Sequence, residues 1–286
     1  MMAEDNHGML RDILERLYRK YNRRSLIAPD PLQFVYKYTK PEDMEIAGLL
    51  SALLATGRVE QIQKSLTNLF AVMGQSPYQF VIHFDSSKRK LLKDFKHRFT
   101  TGDDIADLLA LLKFAIQKAG SLENYFLQGY NKADENIIPA LMQFCDSLLR
   151  TYTARNQGKV SRGLKYLLVS PAGGSGCKRL NLFLRWMVRA DDVDAGLWRA
   201  VDKAKLIVPV DVHIGRLCRI LGFHSDKTTT LETAVTITNK FAEISPDDPV
   251  KYDFALSRIG IVEDCTGKSR PQCETCELLC FCRKEN

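Results

Sequence analysis

Two side chains in this 286-residue chain are of the types needed to detach a base from a sugar. Lys178 supplies an amine that can attack a sugar carbon, and Asp211 a carboxylate that can steady positive charge developing there. They stand thirty-three positions apart. Lys178 opens an expected helix, Cys177–Arg189, which follows a glycine-rich connection over Ser170–Gly176 and an earlier helix over Val160–Val169. Gly173, Gly174 and Gly176 permit positive φ and close backbone approach, and together with Ser175 they can present N–H groups to a phosphate oxygen. Lys178 and Arg179 lie at the helix end where the dipole favours acids, a local departure of the kind found at functional sites. An ordinary helix–helix connection carrying surface cations accounts for the same residues.

Asp211 follows the apolar run Leu206–Val210 and is placed to N-cap a helix that ends at Leu221, with Gly222 just beyond. Capping alone is the other reading of this aspartate. His213 reads as a packing or hydrogen-bonding residue.

The second cluster with chemical potential is the tail, Cys265-x7-Cys273-x2-Cys276-x5-Cys282, with Cys280 inside the last gap. Four thiolates within eighteen residues can close on one metal centre, and the x2 pair lets two sulfurs bind from one turn. An iron–sulfur cluster and a tetrahedral zinc are both compatible with four cysteines, and spacing leaves Cys280 and Cys282 open as the fourth ligand. Cys145, Cys177 and Cys218 fall in helical stretches and read as packing residues.

The rest of the chain must hold these groups in place. The N-terminal residues are acidic and lack the apolar core of a signal peptide, and the run Ile46–Gly57 is too short to span a bilayer. A cytoplasmic protein is expected, in which eight cysteines read as thiols or metal ligands rather than disulfides. The net charge is +7, and Arg150–Arg219 holds fourteen Lys or Arg against five Asp or Glu, so the remainder carries minus two. A basic excess that coincides with the glycine-rich connection suits a polyanion, although a solvated basic face has the same composition.

Along the chain the apolar periodicity is helical throughout. Leu10, Ile13, Leu14, Leu17, Tyr18 and Tyr21 form one face of a helix over 9–24, and Pro41-Glu42-Asp43 opens a helix apolar nearly all round, closed by Gly57. Further helices are expected over 59–73, after Ser76-Pro77, over 86–98 with Leu91, Leu92 and Phe95 inward, over Asp103–Lys118, Ser121–Tyr130 and Glu135–Tyr152. Thr101 and Ser121 are candidate caps. No alternating strand pattern and no repeat is evident. The fold class expected is all-α, with roughly a dozen helices of ordinary length.

GSGCKRLN followed by PVDVHIGRLCRILG resembles the helix–hairpin–helix DNA glycosylases, the superfamily of endonuclease III and 8-oxoguanine glycosylase. EIAGLLSALLAT, Glu45–Thr56, is similar to an early buried helix of endonuclease III. The specific resemblance covers about half the chain, and the whole chain looks like a member of a little-characterised bacterial family related to these enzymes. It implies two helical subdomains flanking a cleft: residues 41–205 with the hairpin at 160–190, and residues 1–40 with 206–286, the latter carrying the cysteine loop. It implies a base-excision glycosylase, with or without strand cleavage at the abasic site, that acts as a monomer on damaged duplex DNA. Lys178 and Asp211 would be catalytic, and Gly173, Gly174, Ser175, Gly176 and Arg179 would contact DNA. Cys265, Cys273, Cys276 and Cys282 would hold a 4Fe–4S cluster, Cys282 being preferred because its gap matches the family's. A non-catalytic DNA-binding protein that keeps the fold and a structural metal centre is the alternative, and a zinc-bearing RNA-binding module a third reading.

The chain departs from the family in a longer hairpin, SPAGGSG, and in a Lys-to-Asp separation greater by about one helix, placed at Asp194–Ala200. Residues 85–155 match nothing in the family.

Overall fold

A computed structural model describes residues 2–261 and 265–283. It is mostly helical, and among the described residues no helix is long and apolar enough to cross a membrane. The first helix, α1 (Met2–Tyr21), buries Leu10, Ile13, Leu14, Leu17 and Tyr21, the expected face. Asp30 caps a 3₁₀ segment over Pro31–Lys37 by accepting from the Leu32 amide. Helix α2 (Pro41–Leu53) starts as its Pro and two acids dictate and is buried on every side. Helices α3 (Val59–Met73) and α4 (Pro77–Ile82) follow, α4 capped by Ser76.

The segment 86–98 is not one helix. Helix α5 (Ser86–Leu91) ends early, Leu91 points outward, and a hairpin of two-residue strands follows, β1 (Lys96–His97) and β2 (Thr100–Thr101). The start of α6 (Gly102–Ala119) crosses directly over the end of α5. A Cβ on Gly102 would lie 1.8 Å from the Leu92 carbonyl oxygen, so the chain must leave the helix and double back. Thr101 then closes a capping box with Asp104.

Helices α7 (Leu122–Leu127) and α8 (Ile138–Arg155) complete this group. The buried Glu45 carboxylate of α2 accepts from the Glu123 amide at 3.1 Å and from Trp198 Nε1 at 2.7 Å. Trp186 and Trp198 are both core residues, Trp198 packed between Phe126 and Phe183.

Helix α9 (Arg162–Leu167), a loop, and α10 (Lys178–Val188) reproduce the expected helix–connection–helix order. The extra length after α10 is not a helix. Residues 194–200 are irregular, held by buried ion pairs from Arg185 and Arg189 to Asp194. Helices α11 (Val212–Ile220), α12 (Leu231–Ala242) and α13 (Asp253–Ile261) finish the order. α2 packs on α10, while α13 packs on both α1 and α11. Cys145, Cys177 and Cys218 are buried, as expected.

Candidate active site

The α2 helix ends at Leu53, where the Leu50 and Ala52 carbonyls still accept from the amides that follow but the chain turns away before the helix can supply a donor for Leu53. The basic first turn of α10 supplies donors for that end. Arg179 donates to the carbonyls of Leu53, at 2.8 Å, and Tyr166, and its guanidinium lies 4.2 Å from the centre of the Tyr166 ring. Lys178 Nζ donates to the Ala55 carbonyl at 3.1 Å. His97 of the hairpin contributes Nε2 to the Thr56 carbonyl at 3.1 Å. Two cations at the wrong end of their own helix therefore sit at the favourable, C-terminal end of another. Arg179, expected to face DNA, is committed to the interior, and burial lowers its pKa.

The connection between α9 and α10 is docked as well as exposed. Gly173 and Gly174 face solvent, but their amides donate to Ser170 and Pro171, and of the three glycines only Gly174 takes a positive φ. The Gly174 carbonyl accepts from Leu231 at the start of α12, and Ser175 bridges to Thr230. Gly176 is buried, where a Cβ would come within 3.1 Å of the Thr230 carbonyl oxygen, so close approach to protein backbone explains this glycine. Cys177 enters the helix at φ 45°, a region few non-glycine residues occupy.

Asp211 caps α11 as the sequence requires. Its Oδ1 accepts from the amides of His213 at 2.9 Å and Ile214 at 2.8 Å. Lys178 and Asp211 line the same cavity, of about 930 Å³. Among the described residues no ion pair within 4.0 Å joins them. The cavity is also lined by Asp253 and Arg258 of α13 and by His213 of α11.

The two α13 side chains belong to a chain of largely buried charges, of which Asp30 and Arg185 line the cavity as well. Arg185 pairs with Asp194 and Asp253, Arg189 pairs with Asp191, Asp194 and Asp248, and Arg258 reaches Asp30 at 3.3 Å. Burial pushes the Asp253 carboxyl up to about 6, with Arg185 opposing the shift and Asp211 adding to it. Sequence reading missed Asp253 and Arg258 because an acid in the first turn of a helix and a base toward its end read as solvated residues that suit the helix dipole.

It also missed the hairpin tip. Arg98 lines the cavity at φ 52°, and Phe99 is 71% exposed, its ring 6.3 Å from that of Tyr166, another lining residue. The hairpin is firmly mounted: His97 is buried, with Nδ1 2.9 Å from Ser65 Oγ, and Arg98 Nη1 donates to Thr56 Oγ1 at 3.3 Å.

A family model described as protein of unknown function (DUF2400) matches residues 30–262, most of the chain. The chain belongs to the DUF2400 family. The match includes Lys178, Asp211 and Asp253 and stops short of Cys265, so the cavity lies within the family's common region and the cysteine tail beyond it. No curated protein and no solved structure matches the chain.

In the tail, Cys265, Cys273 and Cys276 line one small cavity with Lys268 and Arg270. The Cys276 amide donates to the Cys273 carbonyl at 3.2 Å, so the x2 pair does share a turn. Cys282 is not among the lining residues, and Cys280 is exposed. Among the described residues no three His, Cys, Asp or Glu side chains stand close enough together to hold a metal ion. The tail is tied to the body by Arg216, which donates to the Cys265 carbonyl at 2.6 Å, and by the Arg283 amide on the Ile220 carbonyl at 2.9 Å.

Proposed function

We propose that this protein is a DNA base-excision glycosylase of the helix–hairpin–helix type, with associated strand cleavage at the abasic site. The observation that carries this reading is that Lys178 and Asp211, remote in sequence, line one cavity of about 930 Å³ without an ion pair joining them. That volume is within the range of small-molecule sites, about 300–1,000 Å³. The cavity is the cleft between the helices of residues 41–205 and those formed by the two ends of the chain, and a flipped nucleotide enters it.

Duplex DNA binds across the glycine-rich connection and the basic face around it, where Gly173 and Gly174 are exposed. Phe99 inserts into the base stack as a wedge, which lowers the cost of holding one nucleotide out of the helix. Asp211 stabilises positive charge on the deoxyribose as the bond from C1′ to the base breaks, and the base leaves with the bonding pair. The Lys178 amine, once its proton has passed to Asp211, gives its lone pair to C1′. The C1′–O4′ bond then breaks as O4′ takes a proton and the ring opens, which leaves a protonated Schiff base on Lys178, and loss of a C2′ proton expels the 3′ phosphate with the C3′–O bonding pair.

The cysteines fit a metal centre in donor type: three of them face one cavity, and Lys268 and Arg270 beside it suit the negative charge of a thiolate-ligated cluster. Cys265, Cys273, Cys276 and Cys282 would hold a 4Fe–4S cluster, with zinc as the alternative. Such a group would clip the tail to the end of α13. Iron and sulfide analysis after anaerobic purification tests this, and stoichiometric zinc in a colourless protein would reject the cluster.

Borohydride trapping on duplexes carrying a panel of lesions tests the enzyme. Wild type is expected to form a covalent complex and Lys178→Gln none. Base release by a wild type that never traps would remove Lys178 as nucleophile and indicate a water route. A second reading, a non-catalytic DNA-binding protein, draws on the structural bonds that Lys178 and Asp211 already make to Ala55 and to the start of α11. It requires salt-sensitive DNA binding with no product from any substrate.

A further inference from the structure

The hairpin and α9 carry exposed cations that no acid of the protein pairs with. Lys93, Lys96 and Arg98 are exposed, as are Arg162 and Lys165 of α9, and among the described residues none of the five has an ion-pair partner. The two groups are joined in space. Lys96 is the cross-strand partner of Thr101, whose amide donates to Asp104 at 2.9 Å. The Ser161 hydroxyl donates to the same carboxylate at 2.8 Å, one residue before Arg162. At the hairpin tip Phe99 meets Tyr166 edge-on, one residue after Lys165. Of the acids nearby, Asp103 is paired with Arg89 and Asp104 caps α6, so Asp94 alone remains within residues 86–104 to offset these charges.

A solvated basic face has no need of a fixed aromatic, and here one is held out into solvent. Phe99 is exposed, yet the residues before it are locked: His97 is buried between Ser65 and Thr56, and Arg98 donates to Thr56 Oγ1. Arg98 is held at φ 52°, with its guanidinium 5.6 Å from the centre of the Phe99 ring. That backbone region is unfavourable for arginine and persists where the surrounding packing imposes it. The tip also stands at the cavity. Arg98 and Tyr166 line it, and so does Ser175 of the glycine-rich connection. A duplex that lies on the connection and sends one nucleotide into the cavity is thereby brought to the hairpin.

Resting on the DNA-binding part of the reading above, we propose that the hairpin and α9 form a second DNA grip. Lys93, Lys96, Arg162 and Lys165 hold the phosphates beside the extruded nucleotide while Phe99 occupies the base stack. Four cations spread over two elements suit a run of phosphates rather than one small anion. The hairpin falls in residues 85–155, which have no counterpart in the helix–hairpin–helix glycosylases, so this grip is a property of the present chain and not of the resemblance.

Salt dependence of duplex binding by the full-length protein tests this. With Lys93, Lys96, Arg162 and Lys165 all changed to Gln, the slope of log affinity against log salt is expected to shallow by about 3–4. Affinity at about 0.15 M salt is expected to fall about 10- to 100-fold, with the melting curve unchanged. A control changes Arg11, Lys40, Lys132 and Arg199 to Gln, four exposed cations that do not line the cavity. Its slope is expected to move by less than about 1, and an equal loss in both variants overturns the grip in favour of net charge. Acetylation of wild type by an amine-reactive ester needs no variant. Duplex DNA is expected to protect Lys93, Lys96 and Lys165 and not Lys40 or Lys132, and equal labelling with and without DNA overturns the proposal. Protection of these lysines in a protein that releases no base from any lesion retires the glycosylase reading and leaves the grip standing. Absence of duplex binding overturns both.

Discussion

In the cavity region the charged side chains take most of their partners from the protein itself. Arg185 and Arg189 share four aspartates, and Lys178 and Arg179 occupy the carbonyls at the end of α2. The cysteine tail is arranged differently. Three sulfurs face a common space, yet no set of three ligand side chains among the described residues is close enough for a metal. The first region is preorganised by the fold alone, and the second has the donor types of a centre without its geometry. The cavity should therefore keep its shape when the tail is perturbed, whereas the tail should depend on whatever its thiolates bind.

Breaking the buried pairs is the strongest challenge to this contrast. Arg185→Met leaves Asp253 and Asp194 buried without that cation and should cost about 3–5 kcal/mol in urea unfolding. A cost below about 1 kcal/mol would mean that the network does not hold the wall.

Proton linkage at Asp253 sharpens the same point. Its carboxyl titrates near 6 in the folded chain against 3.8 for the ordinary value, so folding takes up a proton between those limits. The contribution is complete below about 4 and is lost as pH rises through about 6, an effect of about 3 kcal/mol. The groups facing Asp253 are Arg185 of α10, Asp194 of the following loop, Asp211 at the head of α11 and Arg258 of α13 itself. The unfolding free energy of wild type minus that of Asp253→Asn should accordingly fall as pH rises from 4 to 7. A flat difference would contradict the burial of an ionisable carboxyl there.

Arg179→Lys keeps the charge but cannot bridge two carbonyls, and should cost about 1–2 kcal/mol. The smallest effect on the cavity is expected from the tail. Chelation, or Cys273→Ser, should expose Lys268 and Arg270 to trypsin while the core resists cleavage. Unfolding of the whole chain on chelation would make the tail part of the cavity's support.

Much of this fold is legible in the sequence because its helix ends follow chemical rules. Pro41 with Glu42 and Asp43, Thr101 with Asp104, and Asp211 with Gly222 all mark boundaries where the chain turns. The common lining shared by Lys178 and Asp211 was expected only through resemblance, since thirty-three residues of spacing do not fix a distance. The hairpin at 96–101 left no trace because two-residue strands have no period to detect. The helix expected at 194–200 rests only on a Lys-to-Asp separation longer than the family's, and extra length alone does not say whether the added residues coil or run irregularly. The cations at the head of α10 show how a local anomaly misleads. They violate the dipole rule for their own helix and satisfy it for α2, a neighbour more than a hundred residues earlier.

Asp211→Asn is the most direct test of the central claim, because asparagine caps a helix about as well as aspartate while lacking the charge. Base release from lesion-bearing duplex should fall at least about 100-fold, with the melting curve and DNA affinity close to wild type. Release at the wild-type rate by this variant would mean that Asp211 is a cap and nothing more, and that the cavity it shares with Lys178 is not where the glycosidic bond breaks.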